Sequence, residues 1–213
     1  MKALLLSGVA TLLLAAPLAA APITGTFAIT GVLQGEDAAG APARLADAVG
    51  LDFCAAVSGP CAMSAGVGTG TGAFMINDGV TGVMPFMHGD IGTVRDIAIS
   101  PFVGPVTAFL AINGLTFDLL DATVMRMTVP APLPGAKPID GLFINGQGIF
   151  RLAGFDDTPG TFTLSTQSDG VRLSTAFTFS GGGAALPVPV PAPAGFAVLG
   201  LGLAALWASR RKG

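Results

Sequence analysis

Apolar residues in the middle of the chain recur at every second position. Phe162 and Leu164 alternate with threonines, and Phe177 and Phe179 repeat the pattern further along. A period of two places such residues on one face of an extended strand, whereas a helix repeats about every 3.6 residues. The pattern therefore predicts a body of short β-strands over residues 21–183.

Turn-forming residues separate these apolar segments. Asn77-Asp78-Gly79 and Asn113-Gly114 have the side chains that tight hairpins favour, because glycine readily takes positive φ. Several strands at short spacing with turns between them are typical of antiparallel all-β folds. We expect an antiparallel β-sandwich, jelly-roll-like, with a barrel as the related alternative.

The stretch from residue 36 to residue 68 departs from this strand pattern. Its Ala and Leu residues have a loose helical spacing around "DAAGAPARLADAVGLDFC". We expect one short helix here, or a long loop without regular structure.

Residues 115–129 have apolar side chains at odd-numbered positions on both sides of their midpoint. Because methionine fills irregular gaps in cores, the methionines on strand patterns are predicted to be core residues. The alternating positions are Leu115, Phe117 and Leu119, then Met125, Met127 and Val129; the other predicted core methionines are Met75, Met84 and Met87.

The N-terminal segment has the features of a secretory signal peptide. One lysine precedes an apolar run, and small residues follow. Cleavage after Ala21 would put Pro22 beside the scissile bond, so cleavage near Ala20 is favoured, and residues 1–20 form the predicted signal peptide. Export would use the Sec translocon and signal peptidase; an uncleaved anchor is the alternative.

A second apolar run closes the chain. Residues 194–209 are apolar, and Arg210, Arg211 and Lys212 follow them. Sixteen helical residues would cover about 24 Å, short for a bilayer core but sufficient with snorkelling ends. We predict a transmembrane helix and basic tail over residues 194–213, with the basic residues in the cytoplasm; a buried core helix is the alternative.

A proline-rich segment, residues 184–193, joins the body to this run. Alternating prolines favour extended polyproline II, so the segment is predicted to be a stalk that leaves an extended peptide beside the membrane.

Charge excludes some partners of the predicted body. The chain has 10 Lys and Arg and 13 Asp and Glu; four of the basic residues lie in the two terminal segments, so the body has 6 − 13 = −7. An acidic body has, as a whole, no electrostatic basis for binding nucleic acid or for adhering to anionic lipid. With 51% hydrophobic residues, the chain is also too apolar for disorder.

The two cysteines, Cys54 and Cys61, are predicted to form a disulfide because export makes this the default state. Closing so short a loop contributes about 2 kcal/mol. A metal-binding pair is the alternative, but His88 is the only histidine and no second pair completes a tetrahedral site.

The C-terminal segment resembles a bacterial sorting signal. Val190, Pro191, Ala192, Pro193 and Ala194 are similar to the Val-Pro-Leu-Pro-Ala signature of the VPLPA subclass of PEP-CTERM sorting domains, with alanine in place of leucine at residue 192. As in that family, an apolar span and a basic end follow. The resemblance implies a Gram-negative bacterium and processing by an exosortase-type membrane protease, by a logic similar to that of a GPI signal.

The body is similar, more weakly, to all-β passenger domains of PEP-CTERM proteins. The segments "GTVRDIAIS", "NGLTFDLLDATV" and "GTFTLSTQ" carry this resemblance. It implies no catalytic residues.

Few residues offer candidate chemistry. His88 lies near Asp90, and Ser100 or Ser174 would be the nucleophile of a triad, but no GxSxG elbow occurs. Asp156 and Asp157 are predicted to form a turn, with Ca²⁺ ligation as the alternative. We expect no catalytic site, cofactor or dedicated metal site, and keep Asp90, Asp156 and Asp157 as speculative ligand residues.

Together these features predict an exported, non-enzymatic protein. It would be anchored transiently in the inner membrane with its body in the periplasm, then delivered to the cell surface or extracellular matrix. A structural or adhesive role follows, with exopolysaccharide as a partner. The alternative is a carbohydrate-binding, lectin-like or carbohydrate-active protein, Ca²⁺-dependent if its acidic loops bind metal.

Overall fold

The computed structural model of the protein describes residues 20–58, 61, 66–77, 79–131, 133, 135–169 and 174–183. All regular structure in these residues is β-strand, which confirms the all-β prediction. None of the described residues belongs to a helix of the length and apolarity that a membrane span requires. Residues 1–19 and 184–213, which include the predicted signal peptide, stalk and C-terminal span, lie outside the described residues.

Thirteen strands make up the described fold. In chain order they are β1 (Ala21–Pro22), β2 (Gly25–Glu36), β3 (Pro42–Ala43), β4 (Gly50–Phe53), β5 (Thr71–Ile76), β6 (Ile91–Arg95), β7 (Ile97–Ala98), β8 (Val106–Ile112), β9 (Leu115–Val129), β10 (Ile139–Arg151), β11 (Phe155–Asp156), β12 (Thr158–Ser168) and β13 (Ser174–Gly183).

The main sheet is antiparallel and closes on itself. Its neighbours run β13-β12-β10-β9-β8-β6-β5-β2, and β13 also pairs with β2, so these eight strands form a closed sheet. Strand β2 carries the short β3 and β4 beyond this ring, and a small parallel pair of β1 with β11 lies beside it. The antiparallel prediction is confirmed; the sandwich arrangement is not, because these strands form one continuous ladder.

The closed sheet has two distinct ends. At one end Gly25, the first residue of β2, pairs with Gly183, the last residue of β13, and the Asn113–Gly114 turn joins β8 to β9. We call this the entry end. At the other end the connection over residues 130–138 joins β9 to β10, and we call this the hairpin end.

Phenylalanine rings fill the interior of the closed sheet. Successive ring centroids lie 4.5–6.1 Å apart, mostly in edge-to-face or tilted geometry, which aromatic quadrupoles favour. The series runs Phe53, Phe109, Phe162, Phe117, Phe150, Phe27 and Phe86, with the Phe162–Phe117 pair at 6.1 Å.

A β-bulge divides β9 into two halves. Asp121 pairs with Gln147 and Leu119 pairs with Gly148, so Leu120 is an extra residue without a cross-strand partner. Because side chains alternate between faces, one extra residue exchanges the faces for every position beyond it. Odd-numbered residues therefore point inward before Leu120 and outward after it, which explains why Leu119 is fully buried whereas Met125 is 52% exposed.

Three expectations from the sequence are corrected by the fold. The predicted helix within residues 36–68 is wrong for the described part, where strands β3 and β4 pair with β2 instead. Gly79 does not close a tight hairpin, since β5 ends at Ile76 and β6 begins only at Ile91. Three methionines expected in the core, Met87, Met125 and Met127, are exposed. The Asn113–Gly114 hairpin is confirmed; both residues have positive φ, 47° and 84°.

Candidate functional site

Short polar side chains form a regular array on the outer surface of three neighbouring strands. The cross-strand register aligns them in two rows, one residue each from β9, β10 and β12. We call this array the polar face: its rows are Thr123, Asn145, Thr163 and Asp121, Gln147, Thr161.

The local sequence explains why these side chains face outward. Asn145 and Gln147 alternate with Gly146 and Gly148, and both glycines are buried on the inner face. A Cβ on Gly146 would overlap the ring of Phe162, so a larger residue does not fit there. Glycine inside thus makes room for the aromatic core, and the intervening polar residues are left on the solvent side.

Two shallow depressions lie side by side on this surface. The first has a volume of about 230 Å³ and is lined mainly by polar side chains of the two rows. The second has a volume of about 390 Å³ and is lined by Leu120, Ile149 and Pro159 together with backbone. Gln147 and Thr161 border both, so a polar depression adjoins an apolar one.

Hydrogen bonding within the polar face leaves several groups available to a ligand. The Thr163 hydroxyl donates to Asn145 Oδ1 at 3.0 Å, which fixes the orientation of the amide. Asp121 Oδ1 accepts the N–H of Ala122 at 2.8 Å. The face therefore offers amide N–H donors and carboxylate and hydroxyl acceptors at the 4.7–4.9 Å spacing of neighbouring strands. These groups suit a neutral ligand rich in hydroxyls.

An ion-pair cluster borders the polar face toward the entry end. Arg151 Nε donates to Asp118 Oδ2 at 2.9 Å, and Arg151 Nη1 forms a short ion pair with Asp157. The hydrogen bond to Asp118 and the charge of Asp157 raise the pKa of Arg151 above its ordinary value, so this side chain stays charged at every physiological pH. Asp118 also accepts the N–H of Ala108, which has a φ of 48°.

The speculative ligand residues do not converge on one site. Asp90 lies in the connection between β5 and β6, where its carboxylate accepts the Met87 N–H at 3.0 Å and the Asn113 amide at 3.1 Å. Asp157 is paired with Arg151. The turn predicted at Asp156 and Asp157 is wrong for Asp156, which lies in β11 because this short strand pairs with β1; its carbonyl accepts the Thr158 hydroxyl at 2.9 Å. No group of three or more potential metal ligands occurs in the part of the chain that the structure describes.

The histidine and the serines of the catalytic triad considered from the sequence are also far apart. His88 lies at the entry end, beside the end of β5. Ser100 donates its backbone N–H to the carbonyl of Val49 near the hairpin end, and Ser174 pairs with Gln34 there. The fold therefore does not bring His88 to either serine.

The cysteine pair lies as predicted. Cys54 and Cys61 are at disulfide distance, with 4.8 Å between their Cα atoms. Cys54 lies next to β5, because the N–H of Ala73 donates to its carbonyl, and the disulfide links Cys61 to this position.

The sorting-motif residues Val190–Ala194 and the basic residues Arg210, Arg211 and Lys212 lie outside the described residues. No family model matches the chain, and neither the curated proteins nor the solved structures contain a significant match.

The polar face was not predicted from the sequence. Its signal was present in "INGQGIF" and "GTFTLSTQ", where small polar residues occupy every second position. The sequence pattern does not show that these two segments are adjacent strands in matching register, and that pairing creates the face.

Proposed function

We propose that the protein is an exported, non-enzymatic surface protein, sorted through its C-terminal exosortase-type signal. Its body is an antiparallel β-structure with a structural or adhesive role in the envelope or the biofilm matrix. The predicted route uses the Sec translocon, signal peptidase and an exosortase-type protease.

The arrangement of the two chain exits carries this proposal. Gly25 and Gly183 are cross-strand partners at the entry end, so the segments before and after the body leave from the same end. A signal peptide and a membrane stalk attached there would hold only that end near the bilayer. The polar face and the hairpin end would remain accessible to the matrix.

The test replaces the sorting motif in the full chain. A tag in the body allows the mature mass and the location to be compared between wild type and a variant with Val190–Ala194 scrambled. We expect the variant to keep a higher mass and stay in the membrane fraction. A matched control scrambles residues 185–189, which lie in the same proline-rich segment but outside the motif. Equal mass and location for the wild type and the motif variant would refute the sorting step.

The second candidate function is carbohydrate binding by the polar face. Sugars present hydroxyls at their edges and apolar C–H groups on their faces, and pockets for them combine a few placed polar groups with apolar walls. The polar depression beside the apolar depression of Leu120, Ile149 and Pro159 offers this combination. This proposal needs no Ca²⁺.

A glycan array with the full chain, followed by titration of any hit, tests this candidate. Gln147→Ala should weaken binding about ten-fold, since Gln147 borders both depressions and its amide would form hydrogen bonds with a ligand in either one. Thr93→Ala is the matched control, because Thr93 is an exposed strand residue outside the polar face. Binding that is unchanged by Gln147→Ala would place the glycan site elsewhere, and product release would indicate an enzyme.

A further inference from the structure

Five of the ten exposed large apolar side chains among the described residues lie near the hairpin end, on the last half of β9, the following turn and the start of β10. They share an outward position, because Met125 pairs with Phe143 and Val129 pairs with Ile139 beyond the bulge. Phe143, at the border of this group nearest the polar face, is half-buried. We call the exposed group the hairpin patch; its members are Met125, Met127, Val129, Leu133 and Ile139.

The outward side chains of β9 change from apolar at the hairpin end to polar further along the strand. Leu133 is the outermost member, in a turn closed by the Ala136 N–H and the Leu133 carbonyl at 3.0 Å. Met125 lies about 13 Å behind Val129 at the usual rise per strand residue. The next outward residue, Thr123, begins the polar face. The apolar surface is thus limited to the outer end of the hairpin.

The charge around the patch is opposite to that of the body. Between Asp121 and Asp140 the chain has no acidic residue, but it has Arg126 and Lys137. Lys137 is exposed beside the turn. Asp140 is buried and bound to Arg44 at 2.9 Å, so its charge is neutralised locally. A positive, apolar hairpin therefore projects from a body whose net charge is negative.

Two acidic groups lie on loops that adjoin the hairpin. Asp47 is exposed and lies beside Ala48, whose carbonyl accepts the Arg126 guanidinium at 2.6 Å, and the half-buried Asp169 directly follows Ser168, the partner of Asp140. This contact holds Arg126 toward the β2–β4 side. Lys137 remains at the turn, on the same end as Leu133.

From this combination we propose that the hairpin patch docks on an anionic lipid bilayer. Apolar side chains that reach about 5–10 Å into the headgroup region, together with flanking Lys or Arg, are the means by which peripheral proteins bind such surfaces. A second copy of the chain fits less well, because a two-fold contact through this patch would bring the positive hairpins together. The inference goes beyond the proposed sorting route and does not depend on it.

The hairpin end lies opposite the entry end. A tail leaving from Gly183 would therefore bring the entry end toward its own bilayer, and would not by itself bring the hairpin patch to that bilayer. Because the two ends are opposite, one experiment can distinguish membrane contact through the tail from membrane contact through the hairpin patch.

The experiment places an environment-sensitive fluorophore at the patch in the full chain, through Leu133→Cys. The control carries it at the entry end, through Met87→Cys; both native side chains are 70% exposed. Vesicles contain phosphatidylcholine alone or with phosphatidylglycerol. We expect a blue shift at residue 133 only with anionic vesicles, quenching by bromolipids, and loss of both at high salt. A tail-mediated response should instead appear at residue 87, should occur with neutral vesicles as well, and should not depend on Lys137.

Substitutions measure the two parts of the interaction. Lys137→Gln should lower the partition coefficient for anionic vesicles about five-fold, the effect of one basic charge near such a surface. Met127→Ser should lower binding to anionic vesicles further, whereas Met87→Ser should not. All three side chains are exposed, so we expect folding, checked by circular dichroism, to be unchanged.

Three results would overturn the proposal. One is an equal response of residue 133 to neutral and anionic vesicles, and another is no effect of Lys137→Gln. The third is a blue shift at residue 133 without vesicles that grows with protein concentration, which would identify a second copy as the occupant.

Discussion

The two halves of β9 have the same alternation in sequence but opposite surroundings in the structure. Leu115, Phe117 and Leu119 point into the closed sheet, whereas Met125 and Met127 point into solvent. The backbone pairing of the halves differs in two ways: the bulge lies between them at Leu120, and β8 pairs only with the first half, as far as Leu119. Hydrophobic periodicity therefore predicts that both halves are β-strand, but the bulge decides which set of residues is buried.

The halves also differ in how they are stabilised. The first half packs against aromatic rings and the glycines of β10. The second half lies beside an ion pair with a buried carboxylate. Arg44 contacts both carboxylate oxygens of Asp140 at 2.9–3.0 Å, and the Thr128 hydroxyl donates to Oδ1 at 2.9 Å. The following substitutions test this division.

Arg44→Met should have one of the two largest effects. It leaves the fully buried carboxylate of Asp140 without its cation, and breaking a buried pair costs about 3 kcal/mol where one partner is 39% exposed, as Arg44 is. Urea unfolding measures the loss. The double variant Arg44→Met/Asp140→Asn should recover part of it; a single-variant loss below about 1 kcal/mol would show that the pair does not stabilise this half.

Leu119→Ala and Leu120→Ala compare adjacent residues on either side of the change in face. Leu119 is fully buried, so its truncation should lower the free energy of unfolding by about 3 kcal/mol. Leu120 is 47% exposed, and its truncation should change stability by no more than about 0.5 kcal/mol. Similar losses in chemical denaturation would contradict the position of the bulge.

Gly146→Ala and Gly141→Ala test the two halves of the partner strand β10. A Cβ on Gly146 would overlap the ring of Phe162 and approach the carbonyl of Asp121, so we expect a loss of about 2 kcal/mol. A Cβ on Gly141 would lie 3.7 Å from Met127 Cε, an ordinary contact. Thermal unfolding should therefore separate the variants; a tolerated Gly146→Ala would show that the Phe162 ring can move aside.

Arg151→Gln should have the smallest effect. Arg151 is exposed, so solvent and salt screen its attraction to Asp118 and Asp157. We expect the melting temperature to fall by less than about 2 °C. Arg95→Gln, an exposed arginine bound to the Thr107 carbonyl, is the control, and a much larger fall for Arg151→Gln than for Arg95→Gln would show that the cluster is structural.

Much of the fold was predictable, because the information was local. The alternation of Phe162 and Leu164 with threonines predicted β12, and Asn113-Gly114 predicted the hairpin that the structure contains. The prediction for residues 36–68 failed because pairing with β2 outweighed the helical propensity of alanine and leucine there. The cysteine pair was predicted from compartment and spacing.

The candidate site was less predictable. Asp90, Asp156 and Asp157 were chosen as acidic loop residues, but Asp156 lies in β11, and each of the three has a local structural contact in the fold. Asn145 and Gln147 have no motif. They form a surface only because β9 and β12 place Thr and Asp residues beside them in register.

The sequence by itself determined the strand-forming pattern, the turn chemistry, the acidic charge of the body and the positive charge of the segment between Asp121 and Asp140. Each of these depends on neighbouring residues or on simple sums. Only the tertiary structure decided which face of each strand is buried, that β13 closes the sheet on β2, and that Met125 and Met127 are exposed. These features depend on register between distant segments, and within β9 a single extra residue at Leu120 is enough to exchange the buried and exposed faces.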